Sequence, residues 1–333
     1  MYFTDEQLAK GTASRMDGIL EEEEENYRRK TNEFVVQLCR KLDMNPMSMW
    51  NACTLTHRFF TFESFKRRDR LLVGATAVFL GGKMAENARR LLDVVGYYYA
   101  LRHKAPNLPP EKSKLVQDLK DELLAHERLM LHVIGFNLYF EIPRAKFGEL
   151  GGKVKAYAPD AYEKVVPWAA NVLNDLYSKT TLCLRCDASV IAQIALYLAV
   201  RKFSLPEPSR EARVGGKTDV KPLEERENWR EVFGLKDDAL TYCLIKRAVD
   251  VYRGNHYAAY RPMVRCMDLE IAGALAKEKR ENGSGGDMPS ASPQKPPSTR
   301  RAFIVGHDEG QVEPVNVRHM IVSGLKGDAF LHI

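Results

Sequence analysis

The chain has 333 residues, 45% of them hydrophobic, with 50 basic and 44 acidic side chains for a net charge of +6. That length and apolar share suffice for two cores of ordinary domain size plus a tail, while the small, dispersed charge excess argues against the dense basic stripe of a nucleic-acid-binding domain. Six cysteines spread through expected helices, behind an N-terminus, MYFTDEQLAK, that lacks an apolar signal region, point to an intracellular protein with reduced thiols.

In chain order, TDEQLAK opens a short helix with Thr4 and Gln7 spaced for a capping box. The acidic run Glu21–Glu25 starts the next helix, because carboxylates suit the positive end of the helix dipole. Arg28–Lys41 carries Phe34, Val35 and Leu38 on one stripe, and Pro46, tolerated in a first helical turn, opens Met47–Phe60. Asp69 caps the stretch that organises the rest, Arg70–Glu86. From Leu71 to Gly82 only Thr76 has a polar side chain, and Gly74, Ala75, Ala77, Gly81 and Gly82 lie on every face. This is a helix buried on all sides. It is well short of the ~20 apolar residues a membrane span needs, so it is the central helix of an all-α domain, with Gly81 at a close helix contact. Lys83 ends the run and Glu86 follows three residues on, on the same face of a continuing helix, where a surface begins. Glu86–Arg102 and Lys112–Phe136 supply a fourth and a fifth helix.

Pro143 begins a second half with helical stretches at Lys146–Tyr157, Ala161–Tyr177, Ala188–Lys202 and Lys236–Tyr252, and a short one at Trp229–Phe233. Within it SVIAQIALYLAVRK repeats the central run at a constant offset of 118 residues, with Ala195 over Ala77 and Arg201 over Lys83. Fixed-offset similarity marks a duplicated unit. Ser204–Asn228 reads as a loop, Leu269–Lys279 as an isolated helix and Asn282–Thr299 as disordered by composition. The expected division is an N-terminal helix and linker at 1–27, two tandem five-helix domains at 28–140 and 141–253, and a largely disordered tail at 254–333.

Nothing in the chain assembles a reaction centre. Cys183 and Cys186 have CxxC spacing without a second pair, so they read as buried helix-end thiols rather than zinc ligands. His57, among aromatics, reads as a core histidine. There is no Gly-rich phosphate loop, GxSxG or HExxH, and no nucleophile and base to nominate. The expectation is a non-enzyme with no cofactor, no metal and no small-molecule substrate.

Two five-helix repeats with HRFF at His57–Phe60, LLVGATAVFLGGK at Leu71–Lys83 and SVIAQIALYLAVR at Ser189–Arg201 resemble the paired cyclin boxes of a cyclin. The resemblance is to transcription cyclins of the T and K type and covers about residues 1–253. It is carried by YFTDEQL at Tyr2–Leu8, the YRR segment at Tyr27–Arg29, the HRFF-to-Phe65 stretch and NDLYSKTTLCLR at Asn174–Arg185. RRLLDVVGYYYALR at Arg89–Arg102 and FSLPEP at 203–208 echo cyclin L.

The resemblance implies a nuclear regulatory subunit that binds and activates a cyclin-dependent kinase, one phosphorylating the RNA polymerase II C-terminal domain in transcription elongation. The cyclin L echo keeps a regulator of a splicing-linked kinase open. General transcription factors with tandem cyclin folds carry a zinc ribbon and a basic DNA-facing surface, neither of which is present here. The family's KVEE motif stands here as KMAE, so Lys83 and Glu86 match its first and last positions, Glu127 the fifth-helix glutamate that pairs with the lysine, and Phe136 an aromatic that packs on the kinase. Leu72 matches a box-signature leucine, and Arg58 and Gly81 are structural positions. Ala85 replaces a glutamate, and Asn87-Ala88 stands where Thr-Pro is usual. On physical grounds a lysine held by a carboxylate beside an apolar face can donate to a partner's backbone carbonyls while its charge stays compensated. In the tail, Ser292-Pro293-Gln294-Lys295 has the proline-then-basic pattern such kinases prefer, which makes Ser292 a candidate phosphosite.

Overall fold

Short helices at the start of the chain are fixed by local caps. In the computed structural model, α1 (Asp5–Lys10) has a reciprocal capping box, in which the Gln7 amide donates to Thr4 Oγ1 at 3.2 Å and the Thr4 amide to Gln7 Oε1 at 2.9 Å. α2 (Ala13–Met16) is capped by Thr12, and α3 (Glu21–Lys41) opens with four glutamates in its first turn. α4 (Pro46–Phe62) starts on proline behind an Asn45 cap, and α5 (Arg70–Met84) behind Asp69, whose carboxylate accepts from the Leu71 and Leu72 amides. α6 (Leu91–His103) and α7 (Lys114–Val133) complete a first group of five. A second group comprises α8 (Arg144–Tyr157), α9 (Pro159–Lys179), α10 (Ala188–Lys202), α11 (Trp229–Phe233) and α12 (Ala239–Asp250), with α13 (Arg261–Gly283) following.

The described residues are 2–105, 107–203, 229–254, 257 and 260–283, the side chains of 277–283 excepted, and no strand occurs among them. They belong to one compact unit, Met1–Gly285; a second, Gly286–Ile333, lies outside them. The expected loop at Ser204–Asn228, most of the stretch Asn282–Thr299 and Ser292 also lie outside the described residues.

α5 packs against α3, α4, α6 and α7, and every residue from Leu72 to Gly82 is buried. α10, the repeat, packs against α8, α9, α11 and α13. α9 lies across α3 and α4, so the two groups share a seam, where Trp50 Nε1 donates to Asn174 Oδ1 at 2.9 Å and the Trp50 and Tyr177 rings are 5.9 Å apart. The chain start straps this seam. The Phe3 amide donates to the Leu184 carbonyl at 2.8 Å, the Phe3 ring meets Phe62 edge-on at 6.0 Å, and Asp5 pairs with Arg185 and, at 3.3 Å, with Arg247.

Gly81 explains the small residues of α5. A Cβ there would lie 2.9 Å from both the Ala52 amide nitrogen and the Ser48 carbonyl oxygen, so the α4 backbone occupies the space of a side chain. Backbone cannot rotate away as a side-chain tip can. Gly81→Ala is therefore expected to cost about 1–3 kcal/mol in urea unfolding, and an unchanged midpoint would mean that the α4–α5 crossing yields.

A charged node ties α2, α3 and α4 together inside the first group. Arg28 donates to Glu24 Oε1 at 2.8 and 3.0 Å and to the carbonyls of His57 and Phe60 at 2.8 and 2.9 Å, while Thr12 Oγ1 donates to Glu24 Oε2 at 2.7 Å. His57 is a core residue, 2.7 Å from Asn32 Nδ2 through Nε2. Burial, with the nearby Arg28 charge, pushes its pKa down to about 3. The unfolded imidazole titrates near ~6.5, so the unfolded chain takes up this proton first as the pH drops. The stability from neutral His57 is complete above about pH 6.5 and is lost toward about pH 3, at roughly 1 kcal/mol per pH unit. Melting curves between those limits should be flatter for folded His57→Gln than for wild type; equal slopes would show that His57 does not set the dependence.

Three expectations need correction. The fourth helix starts at Leu91 rather than Glu86, and the fifth ends at Val133 rather than Phe136. The helix expected at Leu269–Lys279 begins at Arg261 and is not isolated, because Met263, Met267 and Ile271, spaced four apart, are buried in the second group. Glu270 beside them accepts from the Tyr197 hydroxyl and pairs with Arg230 at 3.3 Å and Arg201 at 3.6 Å.

Candidate partner-binding rim

The apolar run of α5 stops at Lys83 because the helix there leaves the core between α4 and α7. Its ammonium donates to Glu127 Oε1 at 2.7 Å and Oε2 at 3.0 Å, and sits 4.1 Å from the centroid of the Phe79 ring one turn earlier. The Lys83 side chain is 43% exposed and that of Glu127 only 12%, so α7 holds the carboxylate fixed while the lysine faces outward. Both oxygens and an aromatic face compensate one cation. Two of its three N–H donors serve Glu127, which leaves one for a partner.

Glu86 is not on the helical face of Lys83. Ala85 ends the helix, Glu86 takes a left-handed conformation (φ 51°), its amide donates to Lys83 O at 3.2 Å, and the Asn87 amide donates to Gly82 O at 2.9 Å. This is a Schellman ending with glutamate where glycine is usual. Glu86 is exposed, and among the described residues it forms no ion pair within 4.0 Å. Two residues that the sequence reading missed hold this ending in place. Asn87 Oδ1 accepts from the Asn45 amide at 3.1 Å and Ser48 Oγ at 3.3 Å, and Arg89 Nε donates to Leu42 O at 2.7 Å. Asparagine supplies an acceptor where Thr-Pro is usual, and that substitution was the available signal.

Phe136 stands just beyond α7. Gly135 (φ 63°) and Phe136 (φ 54°) are both left-handed, the Phe136 amide donates to Leu131 O at 2.8 Å, and the ring is 60% exposed with its edge toward His132. A large aromatic is thus displayed rather than packed. Of the remaining positions, Leu72 is buried in the first turn of α5, Gly81 sits at the α4 crossing, and Arg58 is buried in α4 at the seam. The structure therefore joins Lys83 to Glu127, sets Glu86 just past the helix end and leaves Phe136 at the end of α7.

Among the described residues no group of three His, Cys, Asp or Glu side chains is placed to hold a metal. Burial raises Cys183 to about 11 and Cys186 to about 12, so both are protonated thiols at neutral pH, a poor metal-ligand form.

Residues 2–139 match the family model for the cyclin N-terminal domain. The chain thus carries a cyclin N-terminal domain and is similar to cyclins beyond it. The chain is 29% identical over 200 residues to cyclin-T2 of Mus musculus, a match covering 60% of this chain and 27% of the relative. It is 32% identical over 211 residues to cyclin-L1-1 of Oryza sativa subsp. japonica, covering 62% and 48%. Cyclins of the T, K and L groups are thus its relatives, as the sequence resemblance implies. The aligned part spans about a quarter to a half of the length of the curated relatives. Its fold is similar to a chain in the crystal structure of the yeast RNA Pol II CTD kinase CTDK-1 complex, with a TM-score of 0.55 at 14% identity, covering 87% of this chain and 86% of that one.

Proposed function

We propose that this chain is the regulatory subunit of a cyclin-dependent kinase, binding it through Lys83, Glu86, Glu127 and Phe136 and carrying out no catalysis of its own. The observation that carries the reading is the Lys83–Glu127 pair, an outward cation whose charge is compensated in advance and whose remaining donor suits a backbone carbonyl of the partner. Phe136 offers an exposed apolar anchor. The two groups of five helices act as the cyclin boxes 28–140 and 141–253, with α13 attached to the second.

Relatives among the T and K cyclins, and the likeness to a chain of a complex described as an RNA Pol II CTD kinase, support a nuclear role in transcription with the polymerase C-terminal domain as substrate in elongation. The 32% identity to a cyclin of the L group favours, as the second reading, a splicing-linked kinase that would use the same rim. Purification of the tagged chain from its own cells tests both. A cyclin-dependent kinase is expected to co-purify and to phosphorylate polymerase C-terminal-domain repeats; recovery of no kinase would end the proposal, and a kinase inactive on those repeats but active on splicing factors would select the second reading.

A further inference from the structure

Arg58 lacks the hydrogen bonds and ion pairs that the buried Arg28 and Arg230 make. Arg28, one helix away, satisfies its donors with a carboxylate and two carbonyls, and Arg230 reaches Glu270 and the Lys236 carbonyl. Arg58 is only 7% exposed, yet among the described residues it has no hydrogen bond within 3.5 Å or ion pair within 4.0 Å, and its Nε is buried without a partner. Its guanidinium lies 4.3 Å from the centroid of the Phe140 ring. A buried Nε donor and a full charge, with no counter-charge within 4.0 Å, are expensive to keep.

The guanidinium faces a pocket in the seam between the two helical groups. Thr54 and Arg58 of α4, Phe140 after α7, Tyr177 of α9 and Cys183 line it, and exposed Tyr2 and Glu141 stand at its mouth. Burial raises the Cys183 thiol to about 11, so it brings no negative charge to Arg58. We infer that this pocket is a binding site for one carboxylate, that of an acidic side chain on a peptide segment entering the seam. A planar carboxylate matches the guanidinium fork in two parallel hydrogen bonds, and Phe140 and Tyr177 give the pocket aromatic walls. A dianionic phosphate would meet Glu141 at the mouth and Asp187 beside Tyr2. The site is formed by the seam and not by the Lys83 rim, so it stands independently of kinase binding.

The test follows the 15Nε–Hε resonance of Arg58 in the full chain, assigned by its absence from folded Arg58→Lys protein. Four probes are titrated separately: acetate, inorganic phosphate, an acetylated and amidated pentapeptide with one central glutamate among alanines, and the same peptide with glutamine. The glutamate peptide should shift the resonance saturably, at least about tenfold more tightly than the glutamine peptide or acetate, and Arg58→Lys should bind it at least about tenfold more weakly by calorimetry because a lysine lacks the fork. Equal binding of both peptides, tighter binding of phosphate, acetate binding as tightly as the glutamate peptide, or no shift with any probe would each overturn the inference.

Discussion

Lys83→Glu is expected to lower affinity for the partner kinase at least about a hundredfold while leaving the far-ultraviolet circular dichroism unchanged. The substitution removes the cation and sets a second carboxylate against Glu127, which α7 holds in place. Truncating one member of a charge pair that becomes buried in a complex typically costs about 2–5 kcal/mol, and reversing it adds repulsion. In the free chain the same change is mild, because the side chain is half exposed and leaves the core untouched. Lys83→Arg, which keeps the charge but alters its shape, should fall between the two. Wild-type affinity in folded Lys83→Glu protein, measured by calorimetry, would remove the rim from the interface.

The largest effect on stability is expected at Arg28. Arg28→Ala should cost about 3–5 kcal/mol in urea unfolding, since it leaves the Glu24 carboxylate buried with Thr12 Oγ1 as its remaining contact and strips donors from the carbonyls of His57 and Phe60. If the stranded charge is the main cause, adding Glu24→Gln should restore part of the loss. A loss below about 1 kcal/mol for Arg28→Ala alone would show that water reaches the node.

The elements that the sequence displayed best are those whose chemistry leaves one reading. An apolar run as long as Leu71–Gly82 has only a buried helix open to it, its repeat at Ser189–Lys202 identifies the second centre, and the Thr4, Pro46 and Asp69 starts are local signals that tertiary contacts did not override. The Arg28–Glu24 node was hidden because charges four apart after an acidic run look like a solvated face. Burial comes from His57 and Phe60 on another helix, which no local pattern reveals. Glu86 was expected on a continuing helix, and the ending there lacks the glycine that usually marks a Schellman turn. The pairing of Lys83 with Glu127 became legible through the family resemblance, since no spacing rule joins residues on separate helices. α13 was masked by the charges interleaved with Met263, Met267 and Ile271.

The strap formed by Phe3 and Asp5 sets a schedule for the growing polypeptide. Its seat is Leu184, Arg185 and Arg247, so Phe3 and Asp5 wait for most of the second group before they can dock. At about 5–20 residues per second, the wait until Leu184 is made is roughly 10–40 s. During that interval the segment around Phe3 is as open to a protease as any unfolded stretch. Once docked, Phe3 is buried and its amide engaged, so resistance of the segment around Phe3 to proteolysis reports that the distant second group has folded.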